Sequence, residues 1–270
     1  MLFASDLDQT LIYSYSRFGH TVQEDVRLIE ELEGRQISFI GENALTRLKD
    51  VAAKYLFVPV TTRTIEQYRR ISIFQAEIVP KYVVTSNGGS IFKDGNLDQQ
   101  WSRLLRRNMD QQCLPLEDVI IRFSEIKHQA WVLSDRIADD LFYYCTIDRA
   151  TAPDDEISSF KRWVNDQGWE TFIQGRKLYL IPKPVNKKDA VLYIKQKEGH
   201  ARLAASGDSL LDLCMLECAD LAISPIHGEI HRNYCDGSIP DHSIRFTTLN
   251  GIGSAEEILK LLAEAFVETT

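Results

Sequence analysis

The sequence predicts an α/β protein: a doubly wound parallel sheet interrupted by an inserted α+β domain. Three observations carry this. Short apolar runs alternate with helically spaced segments through the first hundred residues. The same alternation returns after Pro184. Between the two stretches the pattern changes to segments of alternating apolar and polar residues, as in an antiparallel sheet with one wet face. At about 150 residues per domain, 270 residues have room for one core and one insertion.

Taken in order, Met1 to Leu7 is an apolar run that ends at Asp6 and Asp8, which predicts a short buried strand. Leu45, Leu48, Val51 and Ala52 share one stripe and predict a helix over Glu42–Tyr55. A second strand, Tyr55–Val60, stops at Thr61-Thr62-Arg63. A helix over Thr64–Phe74 follows, then a third strand, Tyr82–Thr85, ending at Ser86-Asn87-Gly88-Gly89. In the insertion, Val119–Phe123, Leu141–Cys145 and Trp169–Ile173 read as strands, and Asp154–Gln167 as a helix starting near Pro153. Lys177–Ile181 is expected to pair with Trp169–Ile173 across Gln174-Gly175-Arg176, a hairpin signal. After Pro184 come a helix over Lys188–Lys197, a strand at Ala201–Ala205 and a loop at Ser206-Gly207-Asp208. A helix over Leu210–Cys218, a strand at Leu221–Ser224 and a last helix over Ser254–Val267 complete the chain. The expected boundaries are residues 1–103 and 182–270 for the core and 104–181 for the insertion.

Hydrophobic residues at 44% and charged residues at 26% exclude a disordered, collagen-like or coiled-coil chain. Lys+Arg 31 against Asp+Glu 39 leaves a formal charge of −8, which argues against a broad basic face for nucleic acid. A small anion held in a locally positive pocket is still compatible with it. Asp6 and Asp8 stand where a signal peptide would need a basic start and an apolar run. No apolar stretch approaches the ~18 residues of a bilayer span. The five cysteines are irregularly spaced, and Cys214 and Cys218, one helical turn apart, complete no zinc set. The expectation is a cytoplasmic protein with reduced thiols, without nucleic-acid or membrane partners, as a monomer or homodimer.

Four clusters fall at the ends of the core strands: Asp6-Leu7-Asp8-Gln9-Thr10, Thr61, Lys187, and Gly207-Asp208-Ser209-Leu210-Leu211-Asp212. Sheets of this kind bind ligands beyond the carboxyl ends of their strands. One chemistry uses all four. A carboxylate attacks phosphorus, Mg²⁺ neutralises it and the phosphoryl oxygens, and a second carboxylate moves the proton. A hydroxyl and an ammonium hold the remaining oxygens. Gly-Asp-Ser-x-x-Asp is expected by chance on the order of 0.002 times in a chain of this length, so its presence after an apolar run is specific. By default Asn87-Gly88 reads as a turn signal, and Arg176 with Lys177 as a solvated turn. Together with Thr62 these are the candidate substrate contacts. Among the six histidines only His227 and His231 stand at ligand spacing; their loop contains Pro and Gly, and they read as structural.

Asp6-x-Asp8-x-Thr10, Thr61-Thr62-Arg63, Lys187 and Gly207-Asp208-Ser209-x-x-Asp212 resemble the four motifs of haloacid-dehalogenase-like phosphatases, over the whole chain. That family has a Rossmann-like core. The insertion, preceded by Thr85-Ser86-Asn87-Gly88-Gly89, resembles the large α/β cap of its Cof-type branch. Gly95–Trp101 and Pro182–Ala190 look most similar to the sucrose-phosphate-phosphatase group. The resemblance implies Asp6 as the nucleophile that forms an aspartyl-phosphate and Asp8 as the general acid and base. It implies Thr61 and Lys187 as phosphoryl-binding residues. Asp6 and Asp208 would hold Mg²⁺ with the backbone carbonyl of Asp8, and Asp212 would support the site. Lys187 is preferred to Lys188 because the family lysine follows a small polar residue, here Asn186. Three positions depart from the pattern: Thr62 replaces a glycine, Leu211 an asparagine, and Lys188 a Gly or Asp.

The function this implies is Mg²⁺-dependent hydrolysis of a small phosphorylated metabolite, a sugar phosphate above all. A phosphomutase on the same scaffold and a non-catalytic, receiver-like phospho-ligand module are the alternatives. A receiver would lack both the acid two residues after the nucleophile and the large insertion.

Overall fold

The computed structural model describes residues 1–19, 25–239 and 243–267. His20 and His242 lie outside them. In chain order the elements begin β1 (Leu2–Ser5), β2 (Val26–Leu32), β3 (Arg35–Gly41), α1 (Glu42–Lys54), β4 (Leu56–Pro59), α2 (Ile65–Arg69), α3 (Ile73–Ala76), β5 (Tyr82–Thr85), β6 (Ser90–Lys93) and β7 (Asn96–Leu97). They continue with α4 (Gln99–Gln112), α5 (Leu116–Ser124), β8 (Val132–Ala138), β9 (Phe142–Ile147), α6 (Asp154–Asp166), β10 (Trp169–Gln174) and β11 (Lys177–Pro182). The last are α7 (Lys187–Lys197), β12 (Leu203–Ser206), α8 (Leu210–Glu217), β13 (Leu221–Ser224), α9 (Glu229–Cys235), β14 (Ile244–Phe246) and α10 (Gly253–Val267). Met1–Leu97 with Lys187–Thr270 form one compact unit, and Asp98–Asn186 a second.

The first unit is built on a parallel sheet in the order β14-β13-β12-β1-β4. From β1 the chain first builds outward to β4 and later returns to lay β12, β13 and β14 on the other side. The strand order therefore reverses between β1 and β12, and the crevice beyond their carboxyl ends is the place for a ligand. Ser5 and Ser206 are register partners there, and their hydroxyls are 2.7 Å apart. β1, β12 and β13 are buried along their whole length, as expected of strands covered on both faces. Phe3, Phe57, Ala204 and Ile223 join one apolar cluster with Leu45, Leu48 and Val51 of α1 and with Ala255, Ile258 and Leu262 of α10. Each of the Phe, Leu, Ile and Val side chains among them contributes about 1.5–3 kcal/mol by leaving water. β5 pairs antiparallel with β6 and touches the parallel sheet through a single bridge, Val60 to Val84.

The β2–β3 hairpin lies outside the elements expected from the sequence, and it turns at Glu33 and Gly34, both at positive φ. The signal was present as Glu-Gly between two apolar-containing segments.

The second unit is an antiparallel sheet in the order β10-β11-β9-β8, with α5 and α6 packed through Val119, Phe123, Ile157, Phe160 and Val164. The β10–β11 hairpin turns at Gly175 and Arg176, with Gln174 opposite Lys177 and Gly175 at φ 57°. The strand expected at Val119–Phe123 is instead part of helix α5. Its β-branched run suggested a strand, but only Val119 and Phe123, four residues apart, are buried. Glu117 and Asp118 in the first turn further favour the helix.

Candidate active site

Asp6 follows β1, Asp208 follows β12, and Asp212 lies in the first turn of α8, so the strand reversal gathers all three. One carboxylate oxygen from each lies within 4.8 Å of the others. Asp6 and Asp208 are 5% exposed and Asp212 not at all. Lys187, the first residue of α7 and itself buried, sends its Nζ into the group. It donates to Asp6 Oδ1 at 2.7 Å and to Asp212 Oδ1 at 2.5 Å. Thr10 Oγ1 donates to the other Asp6 oxygen at 3.1 Å. The Ser209 backbone N–H and hydroxyl donate to Asp212 Oδ2 at 3.0 and 2.8 Å. Asp212 thereby completes a capping box with Ser209 while holding Lys187. A β-carbon on Gly207 would lie 2.4 Å from the Asp212 Cβ, so the close approach of this turn requires glycine.

Burial above all, and then the charge of Asp212, push the Asp6 carboxyl up to about 7, although Lys187 pulls it down. Burial and the charges of Asp6 and Asp212 likewise raise Asp208. Burial works against the Lys187 charge, but Asp212 and Asp6 outweigh it and hold the ammonium above lysine's ordinary pKa. Three buried carboxylates thus face one buried ammonium. The balance is short by about two positive charges. Asp208 Oδ1 is also buried with no hydrogen-bond partner among the described residues. An all-oxygen donor set with this deficit and an orphaned oxygen fits a hard divalent cation.

Asp8 stands apart from the acidic group. Both of its oxygens accept from Arg63, and its side chain is 47% exposed. Arg63 in turn donates from Nη1 to Glu30 of β2 at 2.7 Å and from Nη2 to the Ser38 hydroxyl of β3 at 3.1 Å. The Glu30 carboxylate is fully buried and also accepts from Ser38 and Arg70. Arg63, Glu30 and Ser38 were not among the expected site residues. Arg63 was within reach as the last residue of Thr61-Thr62-Arg63; Glu30 and Ser38 depend on the unforeseen hairpin.

Thr61 is fully buried beyond β4, where its N–H donates to the Val84 carbonyl and its hydroxyl accepts from the Arg63 N–H. Thr62 beside it is half-buried. Asn87 sits buried in a left-handed turn at φ 58°, its N–H donating to the Thr61 carbonyl. Thr61, Thr62 and Asn87 therefore cluster at one end of the first unit. Arg176 and Lys177 belong to the second unit, exposed in the β10–β11 hairpin, with the Lys177 ammonium 5.6 Å from the centre of the Tyr144 ring. Leu211 is buried. The five cysteines are free thiols. Among the described residues no helix is long and apolar enough to cross a membrane.

With this sheet order the chain takes the fold of the haloacid-dehalogenase-like hydrolases. The sucrose-phosphatase of Synechocystis sp. PCC6803, solved with sucrose and phosphate, superposes with a TM-score of 0.68 at 16% identity, over 98% of this chain and 97% of that one. The subclass IIB sugar phosphatase BT4131 gives 0.59 at 13% identity, over 98% of both chains. The Aspergillus fumigatus trehalose-6-phosphate phosphatase gives 0.51 at 12% identity, over 97% of this chain and 92% of that one. No curated protein sequence matches. The model of one family, sucrose-6F-phosphate phosphohydrolase, matches residues 1–226, and the chain belongs to that family. It is a phosphatase, of the sugar-phosphate kind.

Proposed function

We propose that the chain hydrolyses a phosphate monoester of a small sugar through a covalent phosphoryl group on Asp6. The observation that carries this is the Lys187 ammonium shared between Asp6 and Asp212, beside the orphaned oxygen of Asp208. Lys187 and Thr10 hold the Asp6 carboxylate in one orientation, so its attack on phosphorus carries little further cost in ordering. An oxygen of Asp6 bonds to phosphorus as the ester oxygen leaves, and Asp8, entering the step with its half-exposed carboxyl protonated, gives that oxygen its proton. Water then attacks the same phosphorus, Asp8 takes the proton back, and the bond to Asp6 breaks, releasing inorganic phosphate. Lys187 and Thr61 would hold phosphoryl oxygens. Asp6 and Asp208, with the Asp8 carbonyl, would hold Mg²⁺, and Asp212 would support them; when bound, the ion supplies positive charge to the phosphoryl oxygens.

The family and the sugar-phosphatase neighbours support a phosphorylated sugar, and sucrose 6F-phosphate comes first. The candidate contacts are Thr62 and Asn87 in the first unit and Arg176 and Lys177 in the second, which would serve as a cap. The test is a panel of phosphorylated sugars and p-nitrophenyl phosphate, with and without Mg²⁺, for wild type and Asp6→Asn. Phosphate release from wild type that needs Mg²⁺ and vanishes in Asp6→Asn is expected. Release that survives in Asp6→Asn would overturn the mechanism.

A further inference from the structure

We infer that His227 is a positioning residue for Asp8, pinning the carbonyl of Gln9 and with it the left-handed turn from which Asp8 projects. This rests on the reading that Asp8 transfers the proton.

Gln9 lies between Asp8 and Thr10 at φ 63°, a backbone conformation that residues other than glycine rarely adopt. Such a turn persists only where its surroundings over-determine it. Local partners do part of this. The Gln9 N–H donates to the Ile12 carbonyl at 2.8 Å, and the Tyr13 hydroxyl donates to the Gln9 carbonyl at 2.9 Å. The remaining contact comes from 218 residues further on: His227 Nε2 lies 3.0 Å from the Gln9 carbonyl oxygen.

The direction of that bond follows from the other side of the ring. The backbone N–H of Gly251 can only donate, and it does so to His227 Nδ1 at 3.1 Å. Nδ1 is therefore unprotonated, the proton sits on Nε2, and Nε2–H donates to Gln9. The position excludes any side chain, because Gly251 is at φ 58° and a β-carbon there would lie 1.9 Å from the Phe18 carbonyl oxygen. The Tyr13 ring meets the imidazole edge-on, with centroids 5.8 Å apart. Burial lowers the pKa of His227 and so keeps this neutral tautomer. The imidazole thus ties the Gly251 loop to the Gln9–Thr10 peptide, which lies between Asp8 and the Thr10 hydroxyl that donates to Asp6.

Two substitutions separate its bonds to Gln9 and to Gly251. In His227→Gln the side-chain amide can still donate where Nε2 did, while the Gly251 bond is lost. In His227→Asn the oxygen can still accept from Gly251, but the amide stops short of Gln9. Steady-state kinetics on p-nitrophenyl phosphate with Mg²⁺, beside thermal melts, read the difference. His227→Asn should lower kcat about tenfold with KM within about twofold, and His227→Gln should recover at least about half of the wild-type kcat, at similar Tm. Wild-type kcat in His227→Asn, or equal loss in both variants, overturns the inference. Wild type without turnover, or an active Asp6→Asn control, overturns the phosphatase reading and this inference with it.

Discussion

Arg63 grips the Asp8 carboxylate with two parallel bonds, Nε to Oδ2 and Nη2 to Oδ1, each 2.7 Å long. A fork of this kind fixes the plane of the carboxyl group as well as its position. The arginine is anchored from behind by Glu30, whose buried carboxylate is shared with Arg70. The orientation of Asp8 is thereby transmitted from the β2–β3 hairpin through a chain of alternating charges.

Lysine at position 63 keeps the charge and loses the fork. Arg63→Lys should lower kcat by roughly 10- to 100-fold, the cost of about 1.5–3 kcal/mol in oriented, charged hydrogen bonding. Glu30→Gln, which keeps the shape of the anchor and removes its charge, should lower kcat by less and Tm by several degrees. Steady-state kinetics and thermal melts of both variants check this. Wild-type kcat in Arg63→Lys would show that the fork is dispensable.

The acidic group should make the fold sensitive to divalent cation. Mg²⁺ at 100 times its Kd should stabilise the protein by about 2.7 kcal/mol, or on the order of 5–10 °C in Tm. Asp208→Asn should abolish most of that rise. An undiminished rise in the variant would place the ion elsewhere.

Lys187 bridges two buried carboxylates and neutralises their mutual repulsion. Lys187→Met leaves Asp6 and Asp212 facing each other without the ammonium, at a cost of about 3–5 kcal/mol and a drop on the order of 10 °C in Tm. Calorimetry of the purified variant measures the drop, and added Mg²⁺ should recover part of it. A variant as stable as wild type would contradict the role of Lys187 as counter-charge.

At Glu198 the Lys81 ammonium first of all, and then the Tyr82 hydroxyl, lower the carboxyl pKa to about 2. The folded pKa lies below the ordinary glutamate value of 4.5, so the stabilisation is present above pH 4.5 and lost as pH falls towards 2. Melting curves across that window should fall more steeply for wild type than for Glu198→Gln. Parallel curves would show that the contact adds nothing to folding.

The paired acids after β1, Thr61 after β4, Lys187 at the head of α7 and the acids around α8 could be read from the chain alone. Each is a local event: an apolar run, a turn, and polar residues where the run stops. Helix α1 and the β10–β11 hairpin were legible for the same reason, since stripe periodicity and a glycine turn act over a few residues. At helix α5 the sequence pattern favours a strand, because Val119–Phe123 is too short to separate a strand from a helix by period, and only its packing decides.

What the chain by itself determined was the set of chemical groups and four of the parallel-sheet strands, β1, β4, β12 and β13, because hydrophobic periodicity and turn chemistry are short-range properties of the sequence; β14 and the antiparallel pairing of β5 with β6 were decided by the fold. The tertiary structure alone decided which groups meet: Arg63 with Asp8 across 55 residues, Arg63 with Glu30 across 33, and His227 with Gln9 across 218. Those pairs form because strand order and hairpin register bring distant backbone together, where a buried charge such as Glu30 is stabilised by partners at hydrogen-bond distance.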